Sequence, residues 1–151
     1  MTGWRIGYAA GPAKVIGAMK KIQSQSTSNP ASISQAAAQA ALDGDQACVG
    51  EMVKAFRERH DYLVKALNEL PGVECLEGDG TFYVFPSFQG AIEKTPNVSN
   101  DVEMAEVLLK GAGVALVPGS AFGCPGHMRL SFATSMDVLK EAVARLKKAL
   151  S

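Results

Sequence analysis

The chain has 151 residues, 47% of them hydrophobic and 20% charged, and its 15 basic and 15 acidic side chains cancel. That length and composition suit a soluble protein able to bury about 68–70% of its unfolded surface without staples. The neutral balance removes the electrostatic case for nucleic acid or an anionic membrane as partner, and no apolar run approaches the ~20 residues that span a bilayer.

The three cysteines, Cys48, Cys75 and Cys124, are odd in number and form no Cys-x-x-Cys pair. A reducing, cytoplasmic setting is therefore expected rather than a disulfide framework. Asn97-Val98-Ser99 matches a glycosylation sequon, but no secretory signal precedes it and it reads as chance.

Taken in order, Trp4, Ile6 and Tyr8 alternate with Arg5, Gly7 and Ala9, the period of a strand. Gly11-Pro12 ends it and opens a helix with Val15, Ile16, Met19 and Ile22 on one stripe. Gln23 to Ser32 is polar, contains Asn29-Pro30, and reads as a loop. An alanine-rich helix is expected from about Ala31 to Leu42. Asp43-Gly44-Asp45 breaks it and can cap the next helix.

That next helix is the longest, with Val49, Met52, Val53, Phe56, Leu63, Leu67 and Leu70 at helical spacing. From Asp45 to Leu70 it extends roughly 39 Å at ~1.5 Å per residue, long enough to link two domains. Beyond Pro71-Gly72, Val73 to Leu76 and Thr81 to Phe85 read as strands, and Pro86 limits the second or sets it at an edge. Gln89 to Val98 reads as a loop. Asn100 caps a helix with Glu103 completing a capping-box-like pair, and Gly111 or Gly113 ends it. Val114 to Val117 is a short strand, followed by Pro118-Gly119-Ser120. His127 to Ala133 alternates again, with Met128, Leu130 and Phe132 on one face and Arg129 and Ser131 on the other. A last helix runs from about Met136 to Leu150, with Glu141 and Arg145 as an i,i+4 pair. Residues 1–44 make a poor domain alone, because a single strand has no partners there.

Arg129 is the sharpest candidate for chemistry. A guanidinium held by a rigid strand can clamp a carboxylate through two parallel hydrogen bonds, a geometry lysine lacks. The alternative is an ordinary solvated strand face. Arg5 is a second candidate, as a planar donor set for a phosphate, against a structural ion pair. Phe82 either shapes a pocket wall or simply packs in the core. Cys124-Pro125-Gly126-His127 offers two soft ligands where zinc needs three or four, and one Cys with one nearby His is a weak nucleophile cue. Gly119-Ser120-Ala121-Phe122-Gly123 is not a nucleophile elbow, and neither a phosphate loop nor a dinucleotide fingerprint is present.

Four fragments carry a resemblance: Met1-Thr2-Gly3-Trp4-Arg5, Gly80-Thr81-Phe82-Tyr83, Val117-Pro118-Gly119-Ser120-Ala121-Phe122-Gly123 and Met128-Arg129-Leu130-Ser131-Phe132. In this order they resemble the C-terminal portion of a class I, fold-type-I pyridoxal-phosphate aminotransferase, similar to aspartate aminotransferase. The resemblance implies an α/β fold: a C-terminal small domain (residues 45–151, with the long linking helix) and a remnant of the large cofactor-binding domain (residues 1–44). It implies pyridoxal 5'-phosphate as cofactor, amino acid and 2-oxo acid substrates, and a homodimer. Arg129 would bind the substrate α-carboxylate, Arg5 the cofactor phosphate, and Phe82 would lie near the substrate.

The same resemblance places the Schiff-base lysine upstream of Met1. The chain alone is therefore expected to hold no catalytic residue and to be inactive. Ser24 to Ser32 resembles a loop that approaches the partner subunit's active site. Some aspartate-specific relatives carry an arginine there for the substrate's distal carboxylate, and Gln23 to Gln35 contains none. Either another residue reads that carboxylate or aspartate is not the preferred substrate. Two other readings stay open: another fold-type-I enzyme such as a β-lyase, and a non-catalytic binding or dimerisation module.

Overall fold

A computed structural model describes the whole chain, Met1–Ser151. It divides into two compact units, Met1–Gly50 and Glu51–Ser151.

The first unit holds a 3-10 turn at Thr2–Trp4, helix α1 at Ala13–Ser26 and helix α2 at Ser32–Asp43. The strand expected at Trp4 to Tyr8 does not form. A strand needs neighbours for its N–H and C=O groups, and none lies alongside. The backbone bonds to itself instead, Trp4 N–H to the Met1 carbonyl at 3.1 Å and Arg5 N–H to that of Thr2 at 3.2 Å. The loop expected from Gln23 is shorter than its composition suggests. Helix α1 runs through Ser26, and the Ser24 hydroxyl donates back to the Lys21 carbonyl at 2.8 Å. Its polar residues bond within the helix instead of breaking it. Ser34 is the one buried residue of this unit, its hydroxyl donating to the Trp4 carbonyl at 2.9 Å.

Helix α3 spans Ala47–Asn68, and the boundary between the units falls inside it. In the second unit its C-terminal turns bury His60, Leu63, Val64, Ala66 and Leu67. Strand β1 is Tyr83–Val84, α4 is Gln89–Ile92, α5 is Asp101–Ala112, β2 is Val117–Pro118, β3 is Met128–Ser131 and α6 is Met136–Leu150. The sheet runs β1-β3-β2, and both pairings are antiparallel, Tyr83 opposite Ser131 and Val117 opposite Arg129.

Three expected strands are cut short. Val73 to Leu76 contributes only a bridge between Glu74 and Ser87. Thr81 sits at φ 65°, outside the extended region, so pairing starts at Tyr83. Val114 is buried but unpaired, and pairing begins at Val117. An apolar β-branched run thus marks burial without a ladder. A short helix, α4, stands in the stretch from Gln89 that composition marks as a loop.

The core lies between the sheet and helices α3, α5 and α6. Leu63, Leu67, Phe88, Met104, Leu108, Met128, Phe132 and Leu146 are all essentially inaccessible. Asn68 ties the end of α3 to the chain that follows. Its amide accepts from Cys75 N–H at 2.8 Å and donates to the Cys75 and Val64 carbonyls. Gly72 lies at φ 76°, and a Cβ there would meet Gly90 C and Ala91 N at 2.4 Å. Only glycine satisfies both demands.

The expected caps form. The Asn100 side chain accepts from Glu103 N–H at 2.9 Å, and Glu103 accepts from Ser99 N–H at 2.7 Å. Gly113 closes α5 at φ 65°. Ser135 caps α6, accepting from Val138 N–H at 3.3 Å. No helix is long and apolar enough to cross a membrane.

Candidate functional site

Strand β3 is the middle strand, and its alternation is realised. Met128 and Leu130 face the core, and Phe132 just past its end is buried with them. Arg129 therefore emerges on the other face and is half-buried. Its guanidinium carbon lies 4.4 Å from the Tyr83 ring centroid and 4.6 Å from that of Phe122. Tyr83 comes from β1. Phe122 ends the 3-10 turn Gly119–Phe122 that follows β2. Each contact of this kind contributes about 0.5–1 kcal/mol at an exposed position and about 2 or more when dry.

Aromatic carbon accepts no strong hydrogen bond, so the two rings leave the guanidinium N–H groups free. The ion pairs of the chain are Lys110–Glu106 and Arg145–Glu141, and His60 hydrogen-bonds to Asp61. None involves Arg129, and no hydrogen bond occupies its guanidinium. A half-buried and unpaired guanidinium has the donor geometry to accept a planar anion such as a carboxylate.

The aromatic surround continues outward. Phe85 packs edge-on to Phe122 at 6.1 Å and stacks on His127 at 5.3 Å. Phe82 lies against Tyr83 at 4.3 Å and packs partly on the core. It supports one wall of the arginine through Tyr83, with no direct contact to Arg129 among the arginine's aromatic partners. The Cys124 sulfur lies 3.3 Å from His127 Nδ1, which also lies 3.2 Å from the Pro125 carbonyl. The chain holds no cluster of three or more His, Cys, Asp or Glu side chains that could bind a metal ion.

The turn that carries Phe122 is closed by backbone bonds. Gly119 N–H donates to the His127 carbonyl at 2.7 Å, and Cys124 N–H to the Gly119 carbonyl at 3.0 Å. The approach at Gly119 is so tight that a Cβ would meet the Cys124 oxygen at 2.3 Å. Asp101, at the head of α5 and 2% exposed, accepts from Ser120 N–H at 2.6 Å. Burial pushes its carboxyl up. Hydrogen bonds from the Ser120 backbone and hydroxyl, from its own N–H and from Gly126 N–H outweigh that and leave it below the usual carboxylate range.

Arg5 lies in the first unit. The strand that would have aimed it is absent, and it sits in the left-handed region at φ 52°. For a residue with a Cβ that costs about 1–2 kcal/mol. Its guanidinium is exposed, with one donation to the Thr2 carbonyl at 3.4 Å. The remaining donors are free and fit a phosphate.

Tyr83, Phe122 and Asp101 escape a reading from sequence. Tyr83 and Phe122 stand inside the motifs, but nothing local says that both rings meet one guanidinium. Asp101 follows a helix cap and looks like any acidic residue in a first turn. A cleft of about 550 Å³ lies elsewhere, lined by Gly113 to Leu116, Leu130 and one side of α6. It takes in Leu130 and not Arg129, and its charged lining residues are Asp137 and the paired Glu141 and Arg145.

Comparison with known proteins follows the same outline. Residues 1–146 match the model for aminotransferase class I and II. The chain is 56% identical to an aspartate/prephenate aminotransferase of Nitrosomonas europaea over 100% of this chain and 39% of that protein. It is 50% identical to an aspartate/prephenate aminotransferase of Cereibacter sphaeroides over 97% of this chain and 38% of that protein. The crystal structure of the aspartate aminotransferase of Rhizobium meliloti superposes with a TM-score of 0.83 at 46% identity, covering 99% of this chain and 38% of that one. The chain thus spans about two fifths of the length of the curated relatives it matches.

Proposed function

The chain belongs to the class I and II aminotransferases, and from that premise we propose that it supplies the substrate-carboxylate part of an aminotransferase site. Arg129 receives the α-carboxylate of the amino acid or 2-oxo acid at its free edge. Tyr83 and Phe122 hold the guanidinium plane, and Phe82 backs Tyr83 as part of the pocket wall. The observation that carries this reading is the unpaired guanidinium between two rings. A surface arginine with only a structural role would be expected to have an acidic partner or to be fully solvated.

Arg5 is the group that would hold the phosphate of pyridoxal 5'-phosphate, through the donors its contact with Thr2 leaves free. That cofactor, when bound, supplies the electron sink for loss of the substrate's α-proton. This chain's residues bind and orient. The groups against the Arg129 guanidinium are the Tyr83 and Phe122 rings. In this reading the 151-residue chain by itself binds carboxylates without turning them over.

In the whole protein we assign residues 1–44 to the large domain and 45–151 to the small domain of a homodimeric, cytoplasmic fold-type-I enzyme. The substrates are an aspartate-type amino donor and a 2-oxo acid acceptor. The names of two relatives, both aspartate/prephenate aminotransferases, make prephenate the acceptor to test first.

The test is a titration of the purified chain with succinate, a dicarboxylate that cannot react. The Arg129 side-chain resonance, assigned by loss in Arg129→Lys, is followed by NMR. Saturable movement of that resonance supports the reading. No movement up to millimolar succinate overturns the carboxylate role. Steady transamination of aspartate and 2-oxoglutarate by the chain with added pyridoxal phosphate overturns the claim that it only binds.

A further inference from the structure

Asp101 is a carboxylate inside the protein with no cation beside it. Withdrawing a charge from water without a partner is unfavourable, so its environment has to offset it. Most of the compensation is hydrogen bonding. Ser120 N–H donates to it at 2.6 Å, and the nearby Ser120 hydroxyl, Asp101 N–H and Gly126 N–H also favour the charged form. The start of α5 adds a favourable dipole.

These donors belong to opposite arms of one turn. Ser120 lies at its beginning and Gly126 at its end. Phe122, in between, is the ring that lies 4.6 Å from the Arg129 guanidinium carbon. The backbone ties Gly119 to His127, Cys124 to Gly119 and Gly123 to Ser120 close the turn, and Phe88 N–H donates to the Gly126 carbonyl at 2.7 Å. Asp101 is the side chain that holds the Ser120 arm from within the protein. An apolar residue at this place would leave the Ser120 N–H without its acceptor in the protein.

We propose that Asp101 is the positioning residue of the Arg129 carboxylate site: by holding Ser120 N–H at the start of the 119–126 turn it sets Phe122 against the guanidinium and so orients its free N–H groups. This rests on the reading that Arg129 receives a carboxylate. Asp101 touches neither substrate nor cofactor in this role. It acts through Ser120 and Phe122.

The experiment reads Arg129 directly in the free chain. Two stacked rings shift the Arg129 side-chain resonances upfield, and this signature needs no ligand. Asp101→Asn keeps the size of the side chain but replaces one acceptor oxygen by an amide. It should move those resonances toward the values of a solvent-exposed arginine and weaken succinate binding about tenfold, the equivalent of about 1.4 kcal/mol. Asn100→Ala is the control, because it removes the cap of the same helix without touching the turn. It should lower stability and leave the Arg129 signature in place. Equal movement in both variants would mean that Asp101 merely supports α5, and the proposal fails.

If Asp101→Asn does not fold, Ser120→Ala decides. Ser120 is exposed, and its loss removes only the hydroxyl donor. A smaller movement in the same direction supports the proposal, and no movement overturns it. Absence of any succinate response in the unsubstituted chain would sink the carboxylate reading, while the ring-current comparison would still judge the positioning role.

Discussion

Arg129 and Tyr83 meet across two antiparallel strands, guanidinium carbon to ring centroid 4.4 Å. Tyr83 pairs with Ser131, two residues along β3 from Arg129. The contact is therefore diagonal, within the reach of long side chains on one sheet face. It turns a flexible cation into a fixed one. Tyr83→Leu should leave the fold intact and lower the melting temperature slightly, in keeping with a contact of about 0.5–1 kcal/mol. The Arg129 side chain should gain motion on the nanosecond scale, visible in its NMR relaxation. Unchanged relaxation would show that Tyr83 does not hold the arginine.

Arg129→Lys should be far from conservative. Lysine keeps the charge but loses the planar fork. Charge-assisted hydrogen bonds contribute about 1.5–3 kcal/mol each, so succinate binding should weaken by at least roughly tenfold. Calorimetric titration of the two proteins makes the comparison. Equal affinity would mean that a point charge suffices and that the fork is not used.

The acid limb of stability should carry the signature of Asp101. Its folded pKa is depressed, so its contribution is fully present above the unfolded value, about 3.9. The contribution is lost as pH falls below that toward the folded value. Urea midpoints measured from neutral pH into this acid range should fall for the unsubstituted chain. In Asp101→Asn the fall should be shallower. Glu103, held low by hydrogen bonds from Ser99 and Asn100, acts in the same direction, so some acid sensitivity should persist in the variant.

Cys75 should be the least reactive of the three thiols. Burial raises it to about 11, and the thiolate is the nucleophile. Cys48 is exposed and Cys124 is half-buried. Iodoacetamide at neutral pH should label Cys48 first and Cys75 last, as read by peptide mass spectrometry. The same shift has a stability consequence. The folded pKa lies above the ordinary thiol value of about 9, so the contribution of the buried thiol is complete below about pH 9 and declines as pH rises from there toward 11. Cys75→Ala should remove that decline.

Leu108→Ala tests where the core lies. Leu108 is fully buried between α5 and its neighbours. A leucine truncated to alanine in such a place costs about 2–5 kcal/mol. The urea midpoint should fall sharply. Val107→Ala, one residue away and exposed, should change it little. Similar losses in both would contradict this packing of α5.

Amino-acid order alone was enough for the parts of this protein that depend on near neighbours. The spacing of Leu63, Leu67, Leu139, Val143 and Leu146 places helices, because helical neighbours are three and four residues apart. Asn100, Glu103 and Gly113 announce the ends of α5, because caps act within one turn. The alternation of Met128, Arg129, Leu130, Ser131 and Phe132 puts the arginine on the face opposite the core. The four motif fragments, in order, were sufficient to point to the family that residues 1–146 match.

Tertiary structure alone decided what depends on residues distant in the chain. The period-two pattern from Trp4 to Tyr8 formed no strand, since a ladder requires partners that a local pattern does not specify. Val73 to Leu76 likewise kept a single bridge. Arg129 gained its walls from β1 and from the turn after β2, and that turn was tied down by a carboxylate 19 residues before it. The surroundings of Arg129 are set by folding, which brings Tyr83 and Phe122 against its guanidinium at a three-stranded sheet, and no local pattern specifies which distant rings will meet it.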